Sequence, residues 1–172
     1  TIVAEIVKQN PQSLLDAGCG EGFVLNRIHQ ELPNTLLTGL DISTEALTVA
    51  KTTNPTADLH PGSILKLPFE DKSFDTVIAL EILEHLDQPE IALQELTRVS
   101  KKNIVLSVPH EPFFALGNLA RGKNIKRFGQ DPEHLQFWTK RAFTKFVSPH
   151  LKITQVIPKL TWTIIIGTTK KQ

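Results

Sequence analysis

The nine residues LLDAGCGEG, from Leu14 to Gly22, combine a carboxylate with closely spaced glycines. Two leucines lead into Asp16, and glycines stand at Gly18, Gly20 and the last position. Glycines directly after an apolar run predict a strand that turns tightly into a helix and leaves bare backbone facing a ligand. Dinucleotides and other adenosine-containing cofactors are held in this way, so the charge around the turn must distinguish between them.

The position of Asp16 separates these cofactor classes. The spacing here is G-x-G-x-G, whereas the dinucleotide fingerprint is G-x-G-x-x-G, with a pyrophosphate on the helix N-terminus. A carboxylate just before Gly18 would repel a pyrophosphate and attract an ammonium and a sulfonium, by ~1 to 4 kcal/mol for a contact near ~4 Å. Asp41 follows about 20 residues later and ends the next apolar run, where an acceptor for a ribose diol belongs. These charges disfavour a nicotinamide oxidoreductase.

Three histidines follow the predicted fourth and fifth strands. His85 lies in EILEHL, His110 in VPHEP and His134 in EHLQFWT. An imidazole at the mouth of the sheet can take a proton from an acceptor or orient it, so His85, His134 and His110 are the catalytic candidates. Packing or hydrogen bonding is the alternative role for each. Glu81 and Glu84 share the first segment, and carboxylates with imidazoles suit a divalent ion, although they could instead cap the turn.

Strand-like and helix-like segments alternate along most of the chain and position these residues. The predicted strands lie in QSLLDAG, TLLTGLDI, ADLHPGS, SFDTVIALEI and KNIVLSVP, with helices in GFVLNRIHQEL, TEALTVAKTT (capped by Ser43) and QPEIALQELTRVS. A short helix, KRAFTKFVS, precedes two strands joined around Pro158 to Leu160, a connection that requires an antiparallel pair. We predict one doubly wound, mostly parallel Rossmann-like α/β domain over residues 1–172.

The irregular stretch 110–138 is too long for a plain connection, and we interpret it as a lid. Gly129 and two other glycines loosen its backbone. Phe113 and Phe114 would line an apolar pocket or pin the lid. Its charge is basic, which indicates either a solvated face or an anionic substrate. The cations are Arg121, Lys123, Lys126 and Arg127.

The composition of the chain limits the classes of function that it can have. The 172 residues are 40% hydrophobic and 22% charged, with a net charge of +1, so no global field favours nucleic acid or a membrane. No apolar run approaches the ~20 residues of a membrane span. The single cysteine, Cys19, cannot form an internal disulfide, and together these features predict a cytoplasmic protein. The absence of tyrosine excludes a phenolic base.

On these motifs the chain resembles the class I S-adenosylmethionine-dependent methyltransferases, in the small-molecule (UbiE-like, type 11) group. LLDAGCGEG is similar to their first motif, LTGLDIS to their second, and GSILKLPFEDKSFDTVIALEILEHL to their third and fourth strands. The resemblance implies a seven-stranded sheet of order 3-2-1-4-5-7-6 with strand seven antiparallel. It places Gly18 and Gly20 by the methionine part of the cofactor, Asp41 on the ribose and Ser63 with Ile64 beside the adenine.

The cofactor site implied by this resemblance is larger than those contacts. Leu80 and Glu81 would supply backbone groups near the reactive methyl. Many relatives carry Asp where this chain has Ser63, a weaker acceptor for the adenine amino group. The full candidate set for S-adenosylmethionine, or its product S-adenosylhomocysteine, is Asp16, Gly18, Cys19, Gly20, Asp41, Ile42, Ser63, Ile64, Leu80 and Glu81.

A second resemblance concerns the E-x-x-E-H run and the later histidine. It is similar to the metal site of the small-RNA 3′-terminal 2′-O-methyltransferases, which would make Glu81, Glu84, His85 and His134 the ligands. Those enzymes carry a further histidine where this chain has Leu86. A divalent metal is therefore not favoured.

The function expected from these residues is methyl transfer to an O or N atom of a small-molecule acceptor, which the basic lid would allow to be anionic. The metal-assisted RNA-end methyltransferase is the alternative, and nucleic acid is an expected partner only under that alternative.

Overall fold

The computed structural model describes residues 2–128 and 130–170. The strands are β1 (Ser13–Ala17), β2 (Leu36–Asp41), β3 (Asp58–Pro61), β4 (Phe74–Leu80), β5 (Ser100–Pro109), β6 (Leu151–Pro158) and β7 (Trp162–Thr169). The helices are α1 (Ile2–Gln9), α2 (Phe23–Glu31), α3 (Thr44–Thr53), α4 (Pro89–Val99), α5 (Phe113–Ala120) and α6 (Lys140–Val147). Single turns of 3₁₀-helix occupy Leu83–His85 and Ile125–Arg127.

One seven-stranded sheet has the order β3-β2-β1-β4-β5-β7-β6. The pairs among β1 to β5 are parallel, and β7 runs antiparallel to both β5 and β6. The doubly wound fold and the strand order predicted from the sequence are confirmed. Because β1 lies between β2 and β4, the strand order reverses there and opens a crevice at the carboxyl ends, where ligands bind in such sheets.

Alternate residues of the central strands pack against opposite helical layers. Leu15 and Val77 belong to one buried cluster, which also holds Leu93 and Phe143. Leu14 belongs to the other cluster, with the apolar side chains of α1 and α2. The sheet is therefore covered on both faces, which explains why its strands read as nearly continuous apolar runs.

Local signals in the sequence set the helix boundaries. The Ser43 hydroxyl accepts a hydrogen bond from the Ala46 amide at 3.1 Å, which confirms the predicted cap of α3. Pro89 occupies the first turn of α4, where its missing amide is not needed. The sequence did not predict α1, whose Ile6 is fully buried.

Residues 110–138, interpreted above as a lid and called the lid below, are more regular than predicted. The lid contains α5 and the 3₁₀ turn Ile125–Arg127, whereas the sequence analysis treated the stretch as irregular. Pro112 and Gly117 hide the helical pattern, because Pro ends helices and Gly weakens them. Gly129 lies outside the described residues. In the described ranges, none of the helices has both the length and the apolar character that a membrane crossing requires.

Candidate active site

The loop after β1 is tied to the neighbouring strand by its backbone. The amides of Gly18 and Cys19 both donate to the Leu40 carbonyl, at 2.7 and 3.0 Å. Gly20 adopts a φ of +52° and Gly22 a φ of +77°, in the left-handed region that favours glycine. A Cβ on Gly22 would lie 2.5 Å from Asn54 Nδ2, whereas a Cβ on Gly20 would meet nothing within 4 Å. Gly22 thus serves packing, and Gly20 faces open space.

Asp41 uses both carboxylate oxygens to hold this loop. Oδ2 accepts from the Gly20 amide at 2.7 Å, and Oδ1 accepts from the Ser43 amide at 2.9 Å. Each oxygen has a second lone pair, so the carboxylate can still accept from a hydroxyl. Ile42, the next residue, is 80% exposed. The loop and the entry of α3 therefore share one anionic anchor.

Asp16 ends β1 with only 2% of its surface exposed. Burial, and then the nearby charge of Asp41, raises the pKa of Asp16 to about 7. The salt bridges found among the described residues do not include Asp16. A buried carboxylate of this kind gains free energy when a cation arrives, which fits a ligand with a positively charged end.

Cys19 is suited to packing rather than to reaction. Burial first, and then the charges of Asp16 and Asp41, raises the pKa of its thiol to about 12, so the thiolate is scarce at neutral pH. Its sulfur would lie 2.8 Å from a Cβ placed on Gly39, within the core.

The segment after β3 lies next to Asp41. The Gly62 amide donates to the Asp41 carbonyl at 2.9 Å. The Ser63 hydroxyl accepts from the Leu65 amide at 3.2 Å, and Ile64 is 6% exposed within the core. This segment stands at the edge of the crevice, and its role beside an adenine stays a prediction.

The residues at the end of β4 and just after it have different surroundings. Leu80 is half-buried against the core, and Ile82 would lie 3.0 Å from a Cβ on Gly18, so the two loops touch. Glu81 has a φ of +56°. Its Oε1 accepts from the Ser107 hydroxyl at 2.5 Å, and burial raises its pKa even though that bond opposes the shift.

The structure brings His85 and His134 together. The rings of His85 and His134 lie 5.0 Å apart, edge to face, although they are far apart in sequence. Potential ligand atoms of Glu84, His85 and His134 all lie within 4.8 Å of one another. Glu81, which the second resemblance would make a further ligand, does not belong to this group, and its side chain accepts a hydrogen bond from Ser107 on β5.

Burial dominates the electrostatics of this group. Glu84 is 1% exposed, and both of its carboxylate oxygens lack a hydrogen-bond partner. Burial and then the charge of Glu81 raise the pKa of Glu84 to about 8. Burial, reinforced by His85, lowers the pKa of His134, so its imidazole is neutral at pH 7.

The lid is fastened to the end of β4 by hydrogen bonds to that turn. The Glu84 carbonyl accepts from the amides of Leu135 and Gln136, at 2.8 and 3.0 Å. His85 Nδ1 lies 3.0 Å from the Glu133 carbonyl. The two ends of the lid also meet, since the Glu111 amide donates to the Trp138 carbonyl at 3.0 Å.

His110 lies apart from these contacts. Its ring packs on Phe113 at 5.3 Å, and its amide donates to the Thr161 carbonyl in the β6–β7 turn at 2.9 Å. The sequence analysis did not anticipate Ser107 and Glu111, which are both nearly buried at the same edge. The signal was available, since both are polar residues at the carboxyl end of a predicted strand, in VLSVPHE.

Comparison with known proteins bears on the family of this chain. A family model described as a methyltransferase domain matches residues 15–108, more than half of the chain. An uncharacterized methyltransferase of Schizosaccharomyces pombe is 34% identical over 112 residues, which cover 59% of this chain and 40% of that protein. The demethylmenaquinone methyltransferase of Thermotoga maritima is 30% identical over 101 residues, which cover 59% and 44%. The chain thus spans less than half the length of these relatives.

A solved structure shares the fold over nearly the whole chain. The magnesium protoporphyrin IX methyltransferase of Synechocystis, with S-adenosylhomocysteine bound, aligns with a TM-score of 0.75 at 17% identity, covering 98% of this chain and 82% of that one. The matched family model and the confirmed strand order agree with the motifs of the glycine loop. The chain belongs to the class I S-adenosylmethionine-dependent methyltransferases, in the type 11 group.

Proposed function

We propose that this chain transfers a methyl group from S-adenosylmethionine to an O or N atom of a small-molecule acceptor. The observation that carries the proposal is the arrangement of Gly20, Asp41 and Asp16 around one crevice. The Gly20 backbone is open to a ligand. Asp41, which is bonded to the Gly20 amide, can accept from a ribose hydroxyl, and the buried Asp16 carboxylate suits a cation. A pyrophosphate would be repelled by the same pair of carboxylates.

The residues present fit this cofactor, which supplies a methyl group on a sulfonium. Asp16 would balance the positive charge of the methionine end, and Asp41 would accept from the ribose. The segment Ser63–Ile64 would border the adenine, while Leu80 and Glu81 would offer backbone groups near the methyl. The protein's own task is to hold the acceptor in line with that methyl and to exclude water.

The lid supports an acceptor with an apolar body. Phe113 and Leu116 on α5 are 45% and 63% exposed, and Leu160 and Trp162 at the nearby β6–β7 turn are 76% and 44% exposed. Gly117 and Thr161 bring these two surfaces together, since a Cβ on that glycine would lie 3.9 Å from the threonine methyl. Apolar side chains exposed at a crevice favour burial of an apolar ligand.

The lid also supports an anionic group on that acceptor. Lys123, Lys126 and Arg127 are exposed in the segment that follows α5. Arg121 is different, because its guanidinium turns back to Gly117 O and Asn118 Oδ1, at 3.1 Å each, at the end of α5. The related protein of Thermotoga maritima is named a demethylmenaquinone methyltransferase, and that name supports a small-molecule acceptor.

Proton transfer is needed only where the acceptor atom carries a proton of high pKa. His85, His134 and His110 are the imidazoles at this edge, and the neutral His134 is suited to accept a proton or to orient the acceptor. The second candidate function, metal-assisted methylation of an RNA 3′ end, is favoured only by the Glu84–His85–His134 group. Without Glu81, the four-ligand set that motivated it is incomplete.

The proposal is tested by calorimetry with S-adenosylhomocysteine and with NADH, each added to the same preparation. S-adenosylhomocysteine should bind and NADH should not. Acceptor class is tested by following S-adenosylhomocysteine formation with lipophilic phenols and quinols, fatty carboxylates and a short 3′-hydroxyl RNA. Turnover confined to the RNA would overturn the small-molecule assignment, and binding of NADH alone would overturn the cofactor assignment.

A further inference from the structure

Three side chains from two parts of the chain meet where the lid crosses the end of β4. Glu84 and His85 come from the turn after β4, and His134 comes from the lid; together they are the lid cluster. Their potential ligand atoms lie within 4.8 Å of one another. Both oxygens of the Glu84 carboxylate are buried and lack a hydrogen-bond partner. Burying a carboxylate in this way is costly unless a proton or a cation compensates it.

The hydrogen bonding of His85 prepares its ring for a ligand. A carbonyl can only accept, so the contact of Nδ1 with the Glu133 carbonyl at 3.0 Å requires the proton on Nδ1. The lone pair then resides on Nε2. An imidazole that binds a metal through one nitrogen commonly donates from the other to a backbone carbonyl, which fixes its tautomer and orientation.

The ring of His134 is held by aromatic neighbours. The Phe114 ring lies 5.2 Å from it with the two planes tilted by 35°, and the Phe137 ring lies 6.4 Å away. Both phenylalanines belong to the lid. His134 is therefore expected to move with the lid relative to β4. A bond between His134 and the β4 turn would therefore fix the lid.

We propose that the lid cluster binds one divalent transition-metal ion that joins the end of β4 to the lid. Two imidazoles and one carboxylate form a ligand set typical of Zn²⁺ and its neighbours, with a remaining position for water or another group. An ion about 2.1 Å from each atom separates tetrahedral ligands by roughly 3.4 Å. The ligand atoms of the cluster lie within 4.8 Å of one another, so they would have to approach by up to about 1.4 Å, which a closure of the lid onto the β4 turn would provide.

The ion would change the roles of the histidines. The lone pairs of His85 and His134 would be engaged, so neither would serve as a proton acceptor. His110 would remain as the imidazole at this edge for an acceptor that must be deprotonated. The metal site shares His85 and His134 with the candidates for the proposed methyl transfer, but its occupancy is measurable without cofactor or acceptor.

Metal titration tests the site directly. Zn²⁺ and Co²⁺ are added to the full chain after chelator treatment, and stoichiometry and affinity are measured by calorimetry. One ion should bind, and Glu84→Gln and His85→Ala should each weaken binding by at least about tenfold. His85 is partly exposed, which keeps that variant folded. His29→Ala removes an imidazole on α2 and should bind as the unaltered chain does.

Proteolysis tests the consequence for the lid. Zn²⁺ should slow cleavage within residues 110–138 in the unaltered chain and in His29→Ala, but not in Glu84→Gln. S-adenosylhomocysteine affinity, measured in the same samples, separates a failure of this site from a failure of the proposed function. Absence of stoichiometric metal binding, or equal binding and protection in Glu84→Gln, would overturn the proposal.

Discussion

The Gly20 amide donates a 2.7 Å hydrogen bond to Oδ2 of Asp41, from the loop after β1 to the end of β2. The residue expected to hold a ribose therefore also sets the shape of the glycine loop. Because one carboxylate does both, removing it should disturb two parts of the cofactor site together.

Replacing Asp41 with Ala should weaken S-adenosylhomocysteine binding by roughly 1.5 to 3 kcal/mol, the range for hydrogen bonds to a charged group. The measurement is calorimetry on the folded variant, with folding checked by thermal unfolding. Asp58→Ala is the matched control, because this exposed carboxylate lies at the opposite end of the neighbouring strand β3. Unchanged affinity in a folded Asp41→Ala variant would contradict the site assignment.

The stability of the cofactor-free chain should fall as pH rises, through Asp16. Burial lifts the pKa of this carboxyl from 3.8 to about 7. A raised pKa in the folded state favours the protonated form, so the Asp16 contribution is full below the unfolded pKa and is lost as pH rises toward the folded one. Urea unfolding at about pH 5.5 and about pH 8 measures it, with Asp16→Asn as the reference that lacks it. Parallel profiles for the two proteins would count against a buried ionisable Asp16.

Cofactor affinity should change with pH in the opposite sense. The α-ammonium group of S-adenosylhomocysteine favours ionised Asp16, so this ligand should bind more tightly as pH rises through about 7. Asp16→Asn should bind weakly and should lose most of this dependence. Calorimetry in two buffers of different ionisation enthalpy should also show proton release by the unaltered chain below that pH.

Two glycine variants should separate stability from binding. Gly22→Ala places a Cβ 2.5 Å from Asn54 Nδ2 at a φ of +77°, so it should lower the free energy of unfolding by more than the ~1 to 2 kcal/mol of left-handed strain. Gly20→Ala meets no atom within 4 Å and should lose only that strain. S-adenosylhomocysteine affinity should fall more in Gly20→Ala, where the new methyl enters the crevice. If S-adenosylhomocysteine affinity fell equally in the two variants, Gly20 would not face the ligand.

The first cuts by a nonspecific protease should fall between residues 110 and 130. Most of this stretch is exposed, including Ile125 and Phe128 at 66% and 83%, and α5 is held by few buried side chains. A cofactor together with a bound acceptor should slow these cuts. Mass spectrometry of the early fragments locates them, and first cuts in the β6–β7 turn instead would identify a rigid lid.

The sequence was informative where local pattern and topology decide the outcome. Asp41 could be placed because apolar runs and turn residues fix the end of β2, and the antiparallel β7 followed from its short connection after Pro158. The burial of Glu84 could not be predicted, because it depends on Leu135 and Gln136 crossing from the lid to bond the Glu84 carbonyl. The direction of Glu81 likewise depends on Ser107, which reaches it from the adjacent strand.

The hydrogen bond between the Glu111 amide and the Trp138 carbonyl has a consequence for how relatives of this chain could come to use different acceptors. It brings the two ends of the lid together, and the Trp138 ring is anchored on α6 by Phe143 and Phe146, at 5.3 and 5.4 Å. A segment that leaves and rejoins the scaffold at one point can be lengthened, shortened or exchanged while the sheet register and the glycine loop stay as they are. We therefore expect residues 112–137 to be exchangeable as one cassette, provided that the bonds of Leu135 and Gln136 to the Glu84 carbonyl are kept. A relative's segment grafted between the same two anchors should change acceptor preference and leave S-adenosylhomocysteine affinity unchanged.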